Sequence, residues 1–138
     1  AHAMEAAPAP VFGRVVRTAG DVTTTSTSLV DFTGATITFA TGVFPVHFSA
    51  TQVGRNSTTN QFIAFNVDLD GGLLLGSSGM TNMTANGGDS VDVSFSGQTA
   101  ALTAASHTIK LQWRVSANTG TVKADSNGSH IWSAFEIR

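Results

Sequence analysis

The sequence predicts an all-β fold: a two-sheet antiparallel sandwich of jelly-roll type, with nine to ten strands. Two observations carry that prediction. The chain is rich in Thr, Ser, Val and Gly and poor in Lys, Glu and Leu, which suits pleated surfaces joined by turns rather than helices. Short runs of alternating apolar and polar residues also recur between turn signals, and no stripe of 3.6-residue period competes with them.

The elements follow in order. "VFGRVVR" (11–17) reads as a first strand, with Gly13 marking a bulge or a close backbone approach. "SLVDFT" (28–33) and "ATITFAT" (35–41) read as two strands flanking Gly34 as a tight connection. "FPVHFSATQV" (44–53) turns Phe44, Val46, Phe48 and Ala50 to one face, and "GRNSTTN" (54–60) reads as a polar loop. "QFIAFNVDL" (61–69) sends Ile63, Phe65, Val67 and Leu69 inward. Asp70-Gly71 then turns the chain into "LLLG" (73–76), a strong hairpin signal.

Residues 76–90 read as a loop with a short strand in it. "SVDVSFSG" (90–97) buries Val91, Val93 and Phe95. "SHTIKLQWRV" (106–115) separates cleanly into His107, Ile109, Leu111, Trp113 and Val115 on one face and Thr108, Lys110, Gln112 and Arg114 on the other. "NTGTVKA" (118–124) reads as a hairpin return and "HIWSAFEIR" (130–138) as the last strand.

Composition excludes several classes of function. Without cysteine there is no disulfide framework and no thiolate metal site. A formal charge of −2, with 12% of residues charged, leaves no basic footprint for nucleic acid. No apolar run approaches the roughly 20 residues that span a bilayer. "AHAMEAAPAP" (1–10) lacks the basic and apolar regions of a signal peptide. It reads as a cloning remnant and flexible lead-in, with one domain over 11–138.

Catalytic chemistry finds little support. No G-x-S-x-G nucleophile elbow occurs, and "GGLLLGSSG" lacks the lysine and helix of a phosphate loop. His47, His107 and His130 fall in three separate strands without metal-ligand spacing. Structural roles are expected for them, with His107 a hydrogen-bonded core or rim histidine. Asp68-x-Asp70-Gly71 opens like a calcium loop but continues with Gly72 and Gly79 where oxygen ligands belong. Asp68, Asp70, Asp89 and Asp92 remain a candidate ligand or calcium set at the end of the sandwich. Calcium is the one cofactor under consideration. Three N-x-S/T matches, at Asn56, Asn82 and Asn127, are what chance provides in a Ser/Thr-rich chain.

The last strand holds an anomaly. If Ile131, Phe135 and Ile137 face the core, then His130, Trp132, Ala134 and Glu136 face outward, with an indole on the wet side. Phe62 and Ala64 similarly oppose Ile63, Phe65 and Val67. A sheet that is apolar on both faces needs a second layer outside it. Self-association would cover Phe62, Ala64, His130, Trp132 and Ala134, a sugar ring would stack on the aromatics, and single exposure without meaning is the bland alternative.

With these elements placed, "LTAASHTIKLQWRVSANTGTVKA" followed by "IWSAFEI" resembles the C-terminal half of the C1q/TNF-like jelly-roll domains of bacteriophage virion and related bacterial proteins, and "FIAFNVDLDG" resembles their central hairpin. The resemblance covers roughly residues 28–138 and is best over 102–138, while the loop at 76–90 departs from the pattern. It implies a homotrimer packed about a three-fold axis, with the C-terminal strand in the packed sheet. It also implies a non-enzymatic role on a virion or extracellular particle surface in assembly, decoration or host attachment. Other virion proteins or a cell-surface glycan would be partners, and Lys110 and Arg114 would pair with neighbours such as Glu136 or stand in solvent. The alternative is a carbohydrate-binding module or lectin.

Overall fold

Alternation in the 106–115 stretch survives folding intact. His107, Ile109, Leu111, Trp113 and Val115 are buried, and the residues between them are half-buried on the other face. The computed structural model describes residues 11–41, 43–77, 79–83, 86–125 and 128–137, so the lead-in read over 1–10 lies outside the described residues. Within them the chain forms β1 (Val11–Arg17), β2 (Val22–Thr24), β3 (Val30–Thr41), β4 (Val46–Thr51), β5 (Val53–Asn56), β6 (Phe62–Leu69) and β7 (Gly72–Leu73). It continues with β8 (Met80–Met83), β9 (Val91–Asp92), β10 (Phe95–Gln98), β11 (Ala105–Val115), β12 (Gly120–Val122) and β13 (His130–Glu136).

Two four-stranded sheets, β1-β13-β4-β10 and β2-β12-β5-β9, have matching orders. Each strand of one continues a strand of the other along the chain, so the two are halves of one front layer. The back layer is β3-β11-β6-β7, with β8 pairing the other end of β6. All pairings are antiparallel, and the chain alternates between layers as a jelly roll does. Strands exceed the expected number because the front strands break in mid-course, at Gln52 for example, between β4 and β5.

Several local expectations hold. A register shift between Val11 and Gly13 marks the bulge in β1, and Asp70 (φ 52°) with Gly71 (φ 93°) makes the tight turn from β6 to β7. Others change. Gly34 is no turn: it sits inside the continuous β3 with φ 79°, opposite a register shift between Lys110 and Gln112. Five steps on β3, Asp31 to Thr36, stand opposite two on β11, and the left-handed glycine lies within those three extra residues while the strand carries on. Residues 54–56, read as loop, belong to β5, and β12 pairs β2 and β5 rather than returning on β11.

Between the layers sit Phe32, Phe65 and Trp113 of the back and Phe48 and Trp132 of the front, all buried. Trp113 lies 5.1 Å from the Phe32 ring and 5.8 Å from Phe65, and Trp132 lies 6.4 Å from Phe48. Gly120 admits this packing because it lacks a side chain: a Cβ there would lie 2.5 Å from Val115 Cγ1 and 3.1 Å from Ile63 Cγ2. Gly120→Ala is therefore expected to cost about 2 kcal/mol by overpacking, measured as a lower urea midpoint at unchanged slope.

Candidate functional site

The proposed outward face of β13 is its inward face. His130, Trp132 and Ala134 are each 0% exposed, and Glu136 is buried with them, while Ile131, Ser133 and Phe135 face out. Both sets contain apolar residues, so alternation alone did not fix the phase. Glu136 and His130 made the true core face look wet. Pairing decides it: Trp132 stands opposite Ala50 and Ala134 opposite Phe48, both core residues of β4. Trp132 is thus covered by its own chain.

The same correction applies to β6. Ala64 is buried despite facing away from the core, and Phe62 is half-buried beneath the Arg114 guanidinium, 5.0 Å from its ring centroid. Residues beyond β7 supply the outer layer. Asn66 Nδ2 donates to the Gly76 carbonyl at 2.6 Å, and Leu75 N donates to Asn66 Oδ1 at 3.2 Å. None of the five residues expected at an interface requires a second copy to bury it.

Pairing registers give the true outer face of the β1-β13-β4-β10 half of the front layer. One row runs Arg14, Ser133, Ser49, Ser96. Beside it stand Val16, Ile131 and Thr51 on one side and Phe135, His47 and Gln98 on the other. Ser49 and Ser133 share a hydroxyl–hydroxyl bond of 2.9 Å, and the His47 and Phe135 rings stack at 4.7 Å. Ser49, Thr51, Ser94 and Ser96 line a shallow trough of about 310 Å³ with Ala50 and Phe95. Arg14 is the only Asp, Glu, Lys or Arg among these positions, while Val16 (48%) and Phe135 (36%) are exposed.

On the outer face of the back layer, β3 and β11 are polar and internally satisfied, while Leu73 of β7 and Met83 of β8 are exposed along its edge. Lys110 Nζ lies 3.1 Å from Asp31, and Gln112 Nε2 donates to Asp31 Oδ1 at 2.8 Å. Those bonds, Gln112's first, hold the Asp31 carboxyl below the usual carboxylate range. Thr38 and Thr108 share a hydroxyl bond at 3.2 Å. Lys110 therefore pairs with Asp31, and Arg114 stacks on Phe62. Glu136 is buried in the front layer.

The four aspartates do not converge. Asp70 follows the end of β6, where Asp68 Oδ1 accepts from Gly71 N at 2.9 Å. Asp92 lies by the start of β6: its carbonyl accepts from Asn82 Nδ2 at 2.8 Å, and Asn82 pairs with Ile63. Ile63 to Leu69 spans about 20 Å of extended strand. Asp89 instead accepts from Asn86 Nδ2 at 3.2 Å. Among the described residues no three His, Asp or Glu side chains gather closely enough to hold a metal.

The histidines divide. His107 Nδ1 meets Asp70 Oδ2 at 2.5 Å and Nε2 meets the Thr103 carbonyl at 2.9 Å. Its far nitrogen thus faces a backbone oxygen. His130 stacks on Phe32 at 4.4 Å with neither ring nitrogen hydrogen-bonded. Burial, and secondarily the charge of Arg17, pushes its pKa down to about 4. Sequence reasoning passed over Asn56 as a chance sequon. Its buried amide donates to the Phe62 and Ala117 carbonyls at 3.3 and 2.9 Å and accepts from Thr58 N at 3.0 Å, tying three segments together. Nothing in a short N-x-S pattern signals that.

No protein-family model and no curated protein sequence matches the chain. Among solved structures it is similar to a chain of the infectious bursal virus-derived T=1 particle, with TM-score 0.57 and 13% identity over 94% of this chain and 36% of that one. It thus spans about a third of the length of the chain it matches. It also aligns with the C-terminal domain of EclA, a sugar-binding protein, at TM-score 0.40 and 15% identity over 96% of this chain and 82% of that one. A family 35 carbohydrate-binding module from Clostridium thermocellum aligns at TM-score 0.40 and 9% identity over 91% and 98%. The likeness to the virus-derived particle bears on the fold alone. None of these comparisons identifies the C1q/TNF-like family.

Proposed function

We propose that this chain is a non-enzymatic jelly-roll module of a virion or similar extracellular particle, self-associating as a homotrimer to serve assembly, decoration or host attachment. One observation carries the reading: the β1-β13-β4-β10 sheet turns outward a face whose paired positions hold one charged side chain, Arg14, beside exposed Val16 and Phe135, while β3 and β11 turn out a ladder of satisfied polar pairs. A charge-depleted sheet face with exposed apolar residues suits protein contact. The count of three rests on the resemblance given above. The interface is reassigned from Trp132 and its neighbours to Val16, Ile131 and Phe135.

Light scattering is expected to give three times the 14.2 kDa chain mass. Phe135→Glu, placing a charge on that face, is expected to return one chain mass while the circular dichroism stays that of a folded sheet protein. A native chain that is monomeric at micromolar concentration overturns the reading.

A second reading, saccharide binding, is favoured by the trough. Four hydroxyls line it, and the stacked His47 and Phe135 rings stand in the row beside Ser49. That combination suits the polar edge and apolar face of a sugar ring. Calorimetry against a glycan panel tests it: heat abolished by Ser49→Val supports the trough, and a silent panel removes it.

A further inference from the structure

His107 sits where three elements meet at one end of the sandwich: its own strand β11, the β6–β7 turn, and the irregular segment 99–104 that leads into β11. Both ring nitrogens face acceptors, Asp70 Oδ2 at 2.5 Å and the Thr103 carbonyl at 2.9 Å. A carbonyl never donates. Asp70 is held as a carboxylate by the His107 bond first and by Thr108 N second, at 2.8 Å. Neither partner brings a proton, so satisfying both bonds requires an N–H on each ring nitrogen, which only an imidazolium has.

We propose that His107 is a charged pin that straps segment 99–104 onto the β6–β7 turn, and that its deprotonation releases this end of the sandwich while the two layers stay folded. One proton lost leaves one of the two bonds unmade. The turn keeps its own ties to β11, since Asp70 N donates to the Thr108 carbonyl at 3.0 Å. The segment is anchored at Thr99, whose N donates to the Val46 carbonyl at 2.8 Å and whose hydroxyl accepts from Val46 N at 3.0 Å, but beyond it the ties are weaker: Leu102 N reaches the Phe44 carbonyl at 3.4 Å, and the Leu102 side chain packs on the core margin. The side that lets go is therefore the segment, uncovering the edge beneath Leu102.

The charged groups around the pin are few among the described residues. Asp70 is the one that touches it. Asp68, on the same turn, points its carboxylate to Gly71 N. On its own strand Lys110 is engaged by Asp31, which lies at the far end of β3, and the β3 residue opposite His107 is Phe39, its ring 5.8 Å away. Nothing cationic opposes the charge. The Asp70 bond, then the Thr103 bond, raises the His107 pKa above its ordinary 6.5. The strap is thus fully made below pH 6.5 and is lost as pH rises through the folded-state value.

Nitrogen-resolved NMR of the native chain tests this without a variant. Both His107 ring nitrogens should carry protons at neutral pH, and the group should titrate above 6.5. Hydrogen-exchange protection of the Leu102 amide should fall about tenfold across that titration while amides of central β11 keep theirs. Asp70→Asn should bring the His107 titration down towards 6.5, and His107→Gln should make Leu102 protection independent of pH. A neutral ring at pH 7, or Leu102 protection that ignores the titration, overturns the proposal.

Discussion

Trp132→Ala is expected to destabilise the chain by about 4 kcal/mol, the largest effect of any single truncation considered. The indole is fully buried between the layers, against Phe48 from the neighbouring strand and paired across β13 with Val15 and Ala50. Truncation removes a large apolar area and leaves a cavity that a closed two-layer sandwich collapses around only partly. Urea unfolding followed by circular dichroism should show the midpoint drop at nearly constant slope. The loss belongs to the single chain and should persist when Phe135→Glu has already separated the subunits. A cost below about 1 kcal/mol would mean that the site is not packed as described.

Acidification should weaken the fold through His130. Its folded-state pKa of about 4 lies below the ordinary 6.5, so between those values the unfolded chain binds the proton and the folded chain does not. Stability therefore rises with pH across that window and is lost as pH falls through it, by about 3 kcal/mol in total. The cause is local: two ring nitrogens without hydrogen-bond partners, a Phe32 ring stacked alongside, and Arg17 directly across the β1–β13 ladder. His130→Leu keeps a similar volume and removes the unpartnered polar atoms. It should flatten the stability profile between pH 6.5 and 4 and raise the midpoint at pH 5. A mutant whose profile still falls as steeply would transfer the effect to other groups. His107 works in the opposite sense, so the two histidines bound the stable range from either side.

The sequence made the layers legible wherever one face was unambiguously wet. Thr108, Lys110, Gln112 and Arg114 announced the outer side of β11, and Asp70-Gly71 announced its turn through two left-handed residues. Phase failed at β13 because polarity misled: Glu136 and His130 are buried, and Phe135 is exposed. Local pattern cannot weigh an indole on one face against a phenyl ring on the other, since the answer lies in the partner strand β4, about eighty residues earlier. The outer trough was unreadable for the same reason, because Ser49, Ser96 and Ser133 become neighbours only through pairing. Asp70 and His107 lie 37 positions apart, and each by itself suggested a turn or a rim histidine.

Each layer holds one of the two indoles in its dry interior, Trp113 behind and Trp132 in front. Their emission should be blue in the native chain and redden when water reaches either ring. Because the two chromophores report on different layers, replacing one with Phe turns the other into a dedicated optical gauge. Comparing the two single-indole proteins would reveal whether the layers part together or in sequence.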